Sequence, residues 1–204
     1  MAKSEIEDRE AGKGATEAKR PRPQIVENYH DFVPPAGLKR FIDEAMTTVP
    51  VNYLVGLKTI VLTNSSALTR DQRRQKIWQR GKTHRLAEAR GAYYRATRSR
   101  PASVWLYVDN IMRPLGPWFF RVPIVGGIEF AEVLFHEIGH HIHAVHKPVY
   151  DGKENVAEDW SKKLLRRFCR RHYWYAVPVL YPLATAINIG RKIKKKVSRK
   201  IGQR

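Results

Sequence analysis

The chain has 204 residues, of which 43% are hydrophobic and 10% aromatic, so it can bury the core of one domain and is too apolar to be disordered throughout. Its single cysteine, Cys169, excludes an intramolecular disulfide framework and a cysteine-rich zinc module, and it suits a reducing, cytoplasmic location. Lys and Arg number 38 against 19 Asp and Glu. The resulting net charge of +19 favours an anionic partner, either nucleic acid or an anionic membrane surface.

The positive charge is concentrated in two segments. Residues 161–204 contain 14 Lys or Arg and no acid, and residues 70–100 contain 11 Lys or Arg and two acids. Residues 1–23 mix both signs with Gly, Ala and Pro and lack the apolar run of a secretory signal, which indicates a disordered leader. The expected organisation is a leader at 1–33, a folded domain at 34–172, and an apolar, then basic, tail at 173–204.

One segment bears on membranes. Residues 173–190 carry no formal charge, and their 18 residues are the short limit for a spanning helix. Pro178 and Pro182 interrupt the segment, and basic clusters at both ends define no orientation. The sequence therefore favours a tail that packs on the domain or lies at a lipid surface, which would make the protein cytoplasmic or peripheral at the membrane.

Local patterns predict the following elements in chain order: an amphipathic helix at 38–46, a strand at 53–63, a charged helix or long loop at 69–89, a short strand at 91–95, a strand at 103–108, a packed loop at 113–127, a helix from 128 to about 146, and a helix with apolar positions from 156 to 168. Pro148 prevents the first long helix from continuing. A helix and strands followed by two long helices indicate an α+β fold.

The motif that carries chemistry is HExxH, within the segment VLFHEIGHHI at 133–142. On a helix, residues four apart lie on one face, so His136 and His140 can offer imidazole nitrogens to a single ion. Glu137 then lies beside the metal, where a carboxylate can take a proton from bound water. The neighbouring residues are uncharged, which is typical of a helix buried around its site.

A catalytic zinc needs a third protein ligand, and three residues compete for the position. His143 lies two turns beyond His136, too far along the helix axis. His146 has the spacing of the H-E-x-x-H-x-x-G-x-x-H motif, but a histidine replaces its glycine and no methionine follows. Glu154 can fold back over the histidines from the next helix, or it is an ordinary first-turn acid. Glu158, one turn later, can support a ligand histidine or be a solvated acid.

With these residues the sequence resembles the gluzincin metallopeptidases, and in size the small minigluzincin kind, over about residues 36–172. The resemblance implies a zincin-like fold, with a small twisted sheet, an active-site helix and a glutamate helix around one Zn²⁺. It assigns His136, His140 and Glu154 as zinc ligands, Glu137 as general base and acid, and Glu158 as support for a ligand histidine.

The resemblance also implies the reaction and how the substrate binds. Glu137 would take a proton from zinc-bound water, which attacks a peptide carbonyl, and would then deliver the proton to the leaving amine. The strand at 104–108 would be the sheet edge along which an extended peptide substrate lies. Too little chain follows the glutamate helix for a second lobe, so the transition-state donor is not assigned; Tyr150 and His172 are candidates, each with a structural alternative.

An alternative function is a basic nucleic-acid-binding protein, or a regulatory protein associated with a membrane surface, with a non-catalytic metal site. The basic segments 70–100 and 161–204 would bind phosphates, and Trp160, Tyr173 and Trp174 could stack on bases. The sequence contains no recognised nucleic-acid-binding motif, and a basic run is commonly a solvated face. The oligomeric state is not indicated.

Overall fold

The computed structural model describes residues 22–79, 82–114, 116, 123–146 and 153–175. Most of the expected leader, Tyr150, and the tail beyond Tyr175 lie outside these residues. In the described part the strands are β1 (Gln24–Asn28), β2 (Leu57–Thr63), β3 (Lys76–Gln79), β4 (Lys82–Arg85), β5 (Gly91–Tyr94) and β6 (Ala102–Tyr107). The α-helices there are α1 (Leu38–Met46), α2 (Arg70–Arg74), α3 (Val108–Met112), α4 (Pro123–His146) and α5 (Lys153–His172). Short 3₁₀ turns occupy Val51–Leu54, Ser65–Ala67 and Leu86–Glu88.

Four strands form a mixed sheet in the order β1–β2–β6–β5. The pairs β1–β2 and β2–β6 are parallel, and β5 runs antiparallel to β6. Aliphatic residues face each other across the two central strands, with Ile60 opposite Val104 and Leu62 opposite Leu106, and all four are fully buried. Parallel strands buried in this way need helices to cover them, and the small sheet with its helices confirms the α+β class.

The main hydrophobic core lies between the sheet and helices α1, α4 and α5. It joins Ile42 of α1, Ile60 of β2, Leu134 of α4 and Phe168 of α5. The Phe168 and Phe135 rings pack edge to face, with centroids 5.9 Å apart, which ties α5 to α4 inside this core. A smaller cluster contains Ala92 of β5 and Tyr107 of β6 together with Leu68, Leu86 and Ala89.

The prediction of a disordered leader at 1–33 is wrong for residues 24–28, which form β1. This strand pairs in parallel with β2, with Ile25 opposite Ile60 and Val26 opposite Val61. Two adjacent apolar residues carry no periodic signal of their own. The strand exists because β2, more than 30 residues later, supplies its hydrogen-bonding partner.

Two other segments also differ from the prediction. The charged segment 69–89 contains α2 and the hairpin β3–β4 instead of a single helix or loop. Thr69 and Gln72 start α2 with a capping box, in which each side chain accepts the other's backbone N–H. Helix α4 begins at Pro123 instead of residue 128, because proline suits the first helical position, where its missing N–H has no partner to lose.

No helix in the described part of the chain combines the length and the apolarity needed to cross a membrane. Residues 176–190 of the uncharged segment lie outside that part.

Candidate metal centre

His136, His140 and Glu154 form the one group of potential metal ligands found among the described residues. One ligand atom from each of the three lies within 4.8 Å of the others. The two histidines stand one turn apart on α4, with ring centroids 4.7 Å apart, and Glu154 belongs to the first turn of α5. The side chains of His136, His140 and Glu154 are 7%, 17% and 18% exposed. The predicted ligands therefore meet in one largely buried place.

The separations between these atoms suit ligands of a common ion better than hydrogen bonds. Glu154 Oε2 lies 3.5 Å from His136 Nε2, and Glu154 Oε1 lies 3.6 Å from His140 Nε2. A strong N–H···O bond is shorter, at about 2.7–3.2 Å. Two ligands about 2.1 Å from one tetrahedral ion lie about 3.4 Å apart.

Glu154 provides a second test of whether the site fits a metal. Its Oε2 atom is buried and has no hydrogen-bond donor within the described residues. A buried carboxylate oxygen without a donor is costly, and a cation removes that cost. Two imidazoles and one carboxylate are also the donor set of many catalytic zinc sites. The residues present therefore fit a metal ion.

A close contact between α4 and α5 brings Glu154 to the histidines. A Cβ atom on Gly139 would lie 2.7 Å from the backbone oxygen of Ala157 and 2.8 Å from its Cα, so only glycine permits this approach. One helical turn away, Ser161 Oγ donates a hydrogen bond of 3.1 Å to the Glu132 carbonyl. The sequence pattern did not identify Gly139 as the residue that packs against this backbone.

Glu137 lies beside the ligand group at the wall of a cleft. Its side chain is buried, and it packs so closely on Gly91 of β5 that a Cβ there would lie 2.8 Å from Glu137 Cγ and Oε1. The cleft has a volume of about 180 Å³. Its lining residues are His84, Glu88, Ala89, Arg90, Gly91, Val133, His136 and Glu137. A small molecule or chain segment in this cleft would therefore contact Glu137 and a candidate ligand, His136.

His141 holds α4 against the sheet. Its Nδ1 atom lies 3.2 Å from the Tyr93 hydroxyl, and its Nε2 atom lies 3.1 Å from the Val55 carbonyl. A carbonyl only accepts, so Nε2 carries the hydrogen and Nδ1 accepts from Tyr93. Burial lowers the pKa of His141 below its ordinary value of 6.5, although the bond to Val55 acts in the opposite direction. These two hydrogen bonds of the neutral ring fix the position of α4 relative to β5 and to the residue Val55 before β2.

Asn110 fixes residues 87–90, which precede β5 and form part of the cleft wall. Its side-chain amide donates to the carbonyls of Ala87 and Ala89, each at 2.8 Å. The next residue, Arg90, forms an ion pair with Glu129 of α4. These contacts hold residues 87–90 against α4. Nothing in the sequence pattern pointed to them, because the partners are 21 or more positions apart.

The other candidates are placed as follows. The ring of His146 packs edge-on against Tyr53, and His143 is buried outside the ligand group. Glu158 is 59% exposed and lies 2.9 Å from Lys162 Nζ, so its support of a ligand histidine stays a prediction. His172 ends α5, 18 residues and about 27 Å along the axis from Glu154, which excludes it as a donor at this site.

The prediction that the strand at 104–108 lies at the edge of the sheet is wrong. Strand β6, which covers most of 104–108, pairs with β2 on one side and β5 on the other, so it is interior. Of the strands in the described part of the chain, the one at the edge beside the cleft is β5, which begins at Gly91. The stronger hydrophobic pattern of β6 reflects this interior position, because strands buried on both sides are the most apolar.

No protein-family model, curated protein or solved structure matches this chain.

Proposed function

We propose that this protein is a zinc-dependent metallopeptidase. The observation that carries the proposal is the convergence of His136, His140 and Glu154, with ligand atoms within 4.8 Å of one another, next to Glu137 and an open cleft. Two histidines and a glutamate from consecutive helices are the ligand pattern of the gluzincins. We therefore propose a zincin-like site, in which α4 is the active-site helix and α5 the glutamate helix.

The proposed chemistry assigns one role to the metal and the others to this chain. A zinc ion held by His136, His140 and Glu154 would supply Lewis acidity, which lowers the pKa of water and polarises a carbonyl group. Glu137 acts as general base toward the attacking water. The same carboxyl group then protonates the leaving amine, so Glu137 is not consumed. The packing of Gly91 against Glu137 keeps this carboxylate at the cleft wall.

The proposed substrate is a peptide or protein segment in extended form. Among the described strands β5 ends the sheet, and we propose that its outer side accepts a substrate strand through backbone hydrogen bonds. Its first residue, Gly91, lines the same cleft as Glu137 and His136. A peptide added along β5 would therefore bring a backbone carbonyl toward these two side chains.

Metal analysis of the purified full-length protein tests the site. We expect about one zinc per chain in the wild type and in the control His146→Ala, and far less in His140→Ala and Glu154→Ala. Asp159→Asn is a second matched control, because it removes an exposed acid from the same helix as Glu154. Zinc loss in His146→Ala, with retention in Glu154→Ala, would reject the proposed ligand set.

Peptide cleavage tests the reaction. The full-length protein is incubated with a mixed peptide library, and new termini are identified by mass spectrometry. Glu137→Gln should retain zinc and lose cleavage, because the amide cannot accept a proton, whereas Asp159→Asn should cleave as the wild type does. Unchanged cleavage by Glu137→Gln would refute the mechanism. A zinc-loaded wild type that cleaves no peptide would instead support the non-catalytic metal site.

A further inference from the structure

The outer face of α5 carries a dense strip of positive charge. Six exposed cations form two rows along the helix, and neighbours within a row are four residues apart. They are Lys162, Lys163, Arg166, Arg167, Arg170 and Arg171. They line an open groove whose other wall is formed by Pro50, Asn52 and Tyr53. We call these six residues the α5 basic face. None of them belongs to the His136–His140–Glu154 group, so this surface can be tested apart from the metal centre.

Two large aromatic side chains lie exposed where the basic face ends. Trp174 is 70% exposed and Tyr175 is 57% exposed, and both directly follow α5. In the sequence, the segment from 173 to 190 carries no formal charge. Cations beside exposed Trp and Tyr, followed by an uncharged segment, are the composition of surfaces that rest on the headgroups of a bilayer.

The aromatic residues inside the groove are less suited to stacking on nucleic-acid bases. The rings of Tyr53 and Trp160 pack against each other with centroids 4.8 Å apart, and Lys163 Nζ lies 4.9 Å from the centre of the Trp160 ring. Stacking on bases needs ring faces that are open to the ligand. The rings in the groove are therefore less open to bases, and the uncharged segment that begins at residue 173 favours lipid headgroups over nucleic acid at this face.

We infer that the α5 basic face, with Trp174 and Tyr175, is a docking surface for an anionic phospholipid membrane. The cations bind lipid phosphates and carboxylates, and the two aromatic side chains enter the headgroup region. The docking is peripheral. Salt weakens it, because electrostatic attraction provides most of the free energy of binding.

Flotation of the full-length protein with vesicles tests this inference. The protein should float with phosphatidylcholine vesicles that contain phosphatidylserine, and not with phosphatidylcholine alone. Arg166→Gln/Arg170→Gln should weaken the partition about 30-fold, since each cation at an anionic surface contributes about 1 kcal/mol. Trp174→Ala should weaken it about 10-fold. All of these side chains are exposed, so the variants should fold as the wild type, and circular dichroism checks this.

The matched control is Arg95→Gln/Arg98→Gln, which removes the same charge from an exposed loop outside the α5 basic face. This control should partition within a few-fold of the wild type. Equal losses in both double variants would overturn the inference, because net charge alone would then explain the binding. Equal flotation with phosphatidylcholine alone would also overturn it. Tight binding of a single-stranded oligonucleotide that is lost in Arg166→Gln/Arg170→Gln, without flotation, would assign the face to nucleic acid instead.

Discussion

The contact between Gly139 and Ala157 allows a sharp test of how the two long helices build the site. A methyl group at residue 139 would lie 2.7 Å from the Ala157 carbonyl oxygen and 2.8 Å from its Cα, whereas ordinary contact begins at 3.4 Å. The obstructing atoms are backbone, so no side-chain rotation relieves them. Gly139→Ala therefore requires α4 and α5 to separate by about 0.7 Å, the difference between 3.4 and 2.7 Å.

This separation should reduce both stability and zinc binding. Overpacking costs about 1–3 kcal/mol, and replacing a helical glycine by alanine returns about 1 kcal/mol. We expect a net loss of up to about 2 kcal/mol in the free energy of unfolding, and a Tm lower by up to about 8 °C. Zinc affinity should fall at least about tenfold, because ligand distances tolerate only about 0.2 Å and Glu154 would shift by more. Thermal unfolding and zinc competition titration measure the two effects.

Two further variants make the Gly139 test specific. Val145→Ala changes an exposed residue on the same helix and should leave Tm and zinc affinity close to the wild type. Ala157→Gly removes a methyl group but not the obstructing backbone atoms, so it should not rescue Gly139→Ala. A Gly139→Ala protein with a raised Tm and unchanged zinc affinity would refute the close helix contact, because only the gain in helix propensity would remain.

Two further substitutions and one chemical label test individual contacts. Gly91→Ala places a methyl group 2.8 Å from Glu137 Cγ, so peptide cleavage should fall while zinc content is unchanged; wild-type cleavage would contradict the contact. Tyr93→Phe removes the hydroxyl that donates to His141. The free energy of unfolding, measured in urea, should fall by about 1 kcal/mol, and its dependence on urea concentration (the m value) should not change. Burial raises the pKa of Cys169, so iodoacetamide at about pH 8 should alkylate it more slowly in the folded protein than in urea, and equal rates would contradict its partial burial.

The same contacts show how far prediction from the sequence extends. The helix at 38–46 has the predicted bounds, because its apolar residues recur at helical spacing and α1 buries that face. The predicted strands at 53–63 and 91–95 correspond to β2 and β5, although Val51–Leu54 forms a 3₁₀ turn before β2 begins. The sequence did not correctly indicate which strands lie at the edge of the sheet and which lie inside it. Neighbouring strands come from chain segments that are far apart in sequence.

A separation of four residues sets the geometry of one helical turn, so the sequence alone places His136 and His140 on one face of a helix with Glu137 beside them. The meeting of Glu154 with these histidines becomes visible in the folded chain, since it depends on the approach of a second helix over Gly139. The folded chain likewise shows that β5 and not β6 borders the cleft. Local spacing determines which side chains point together on one element, whereas packing between elements determines which elements meet.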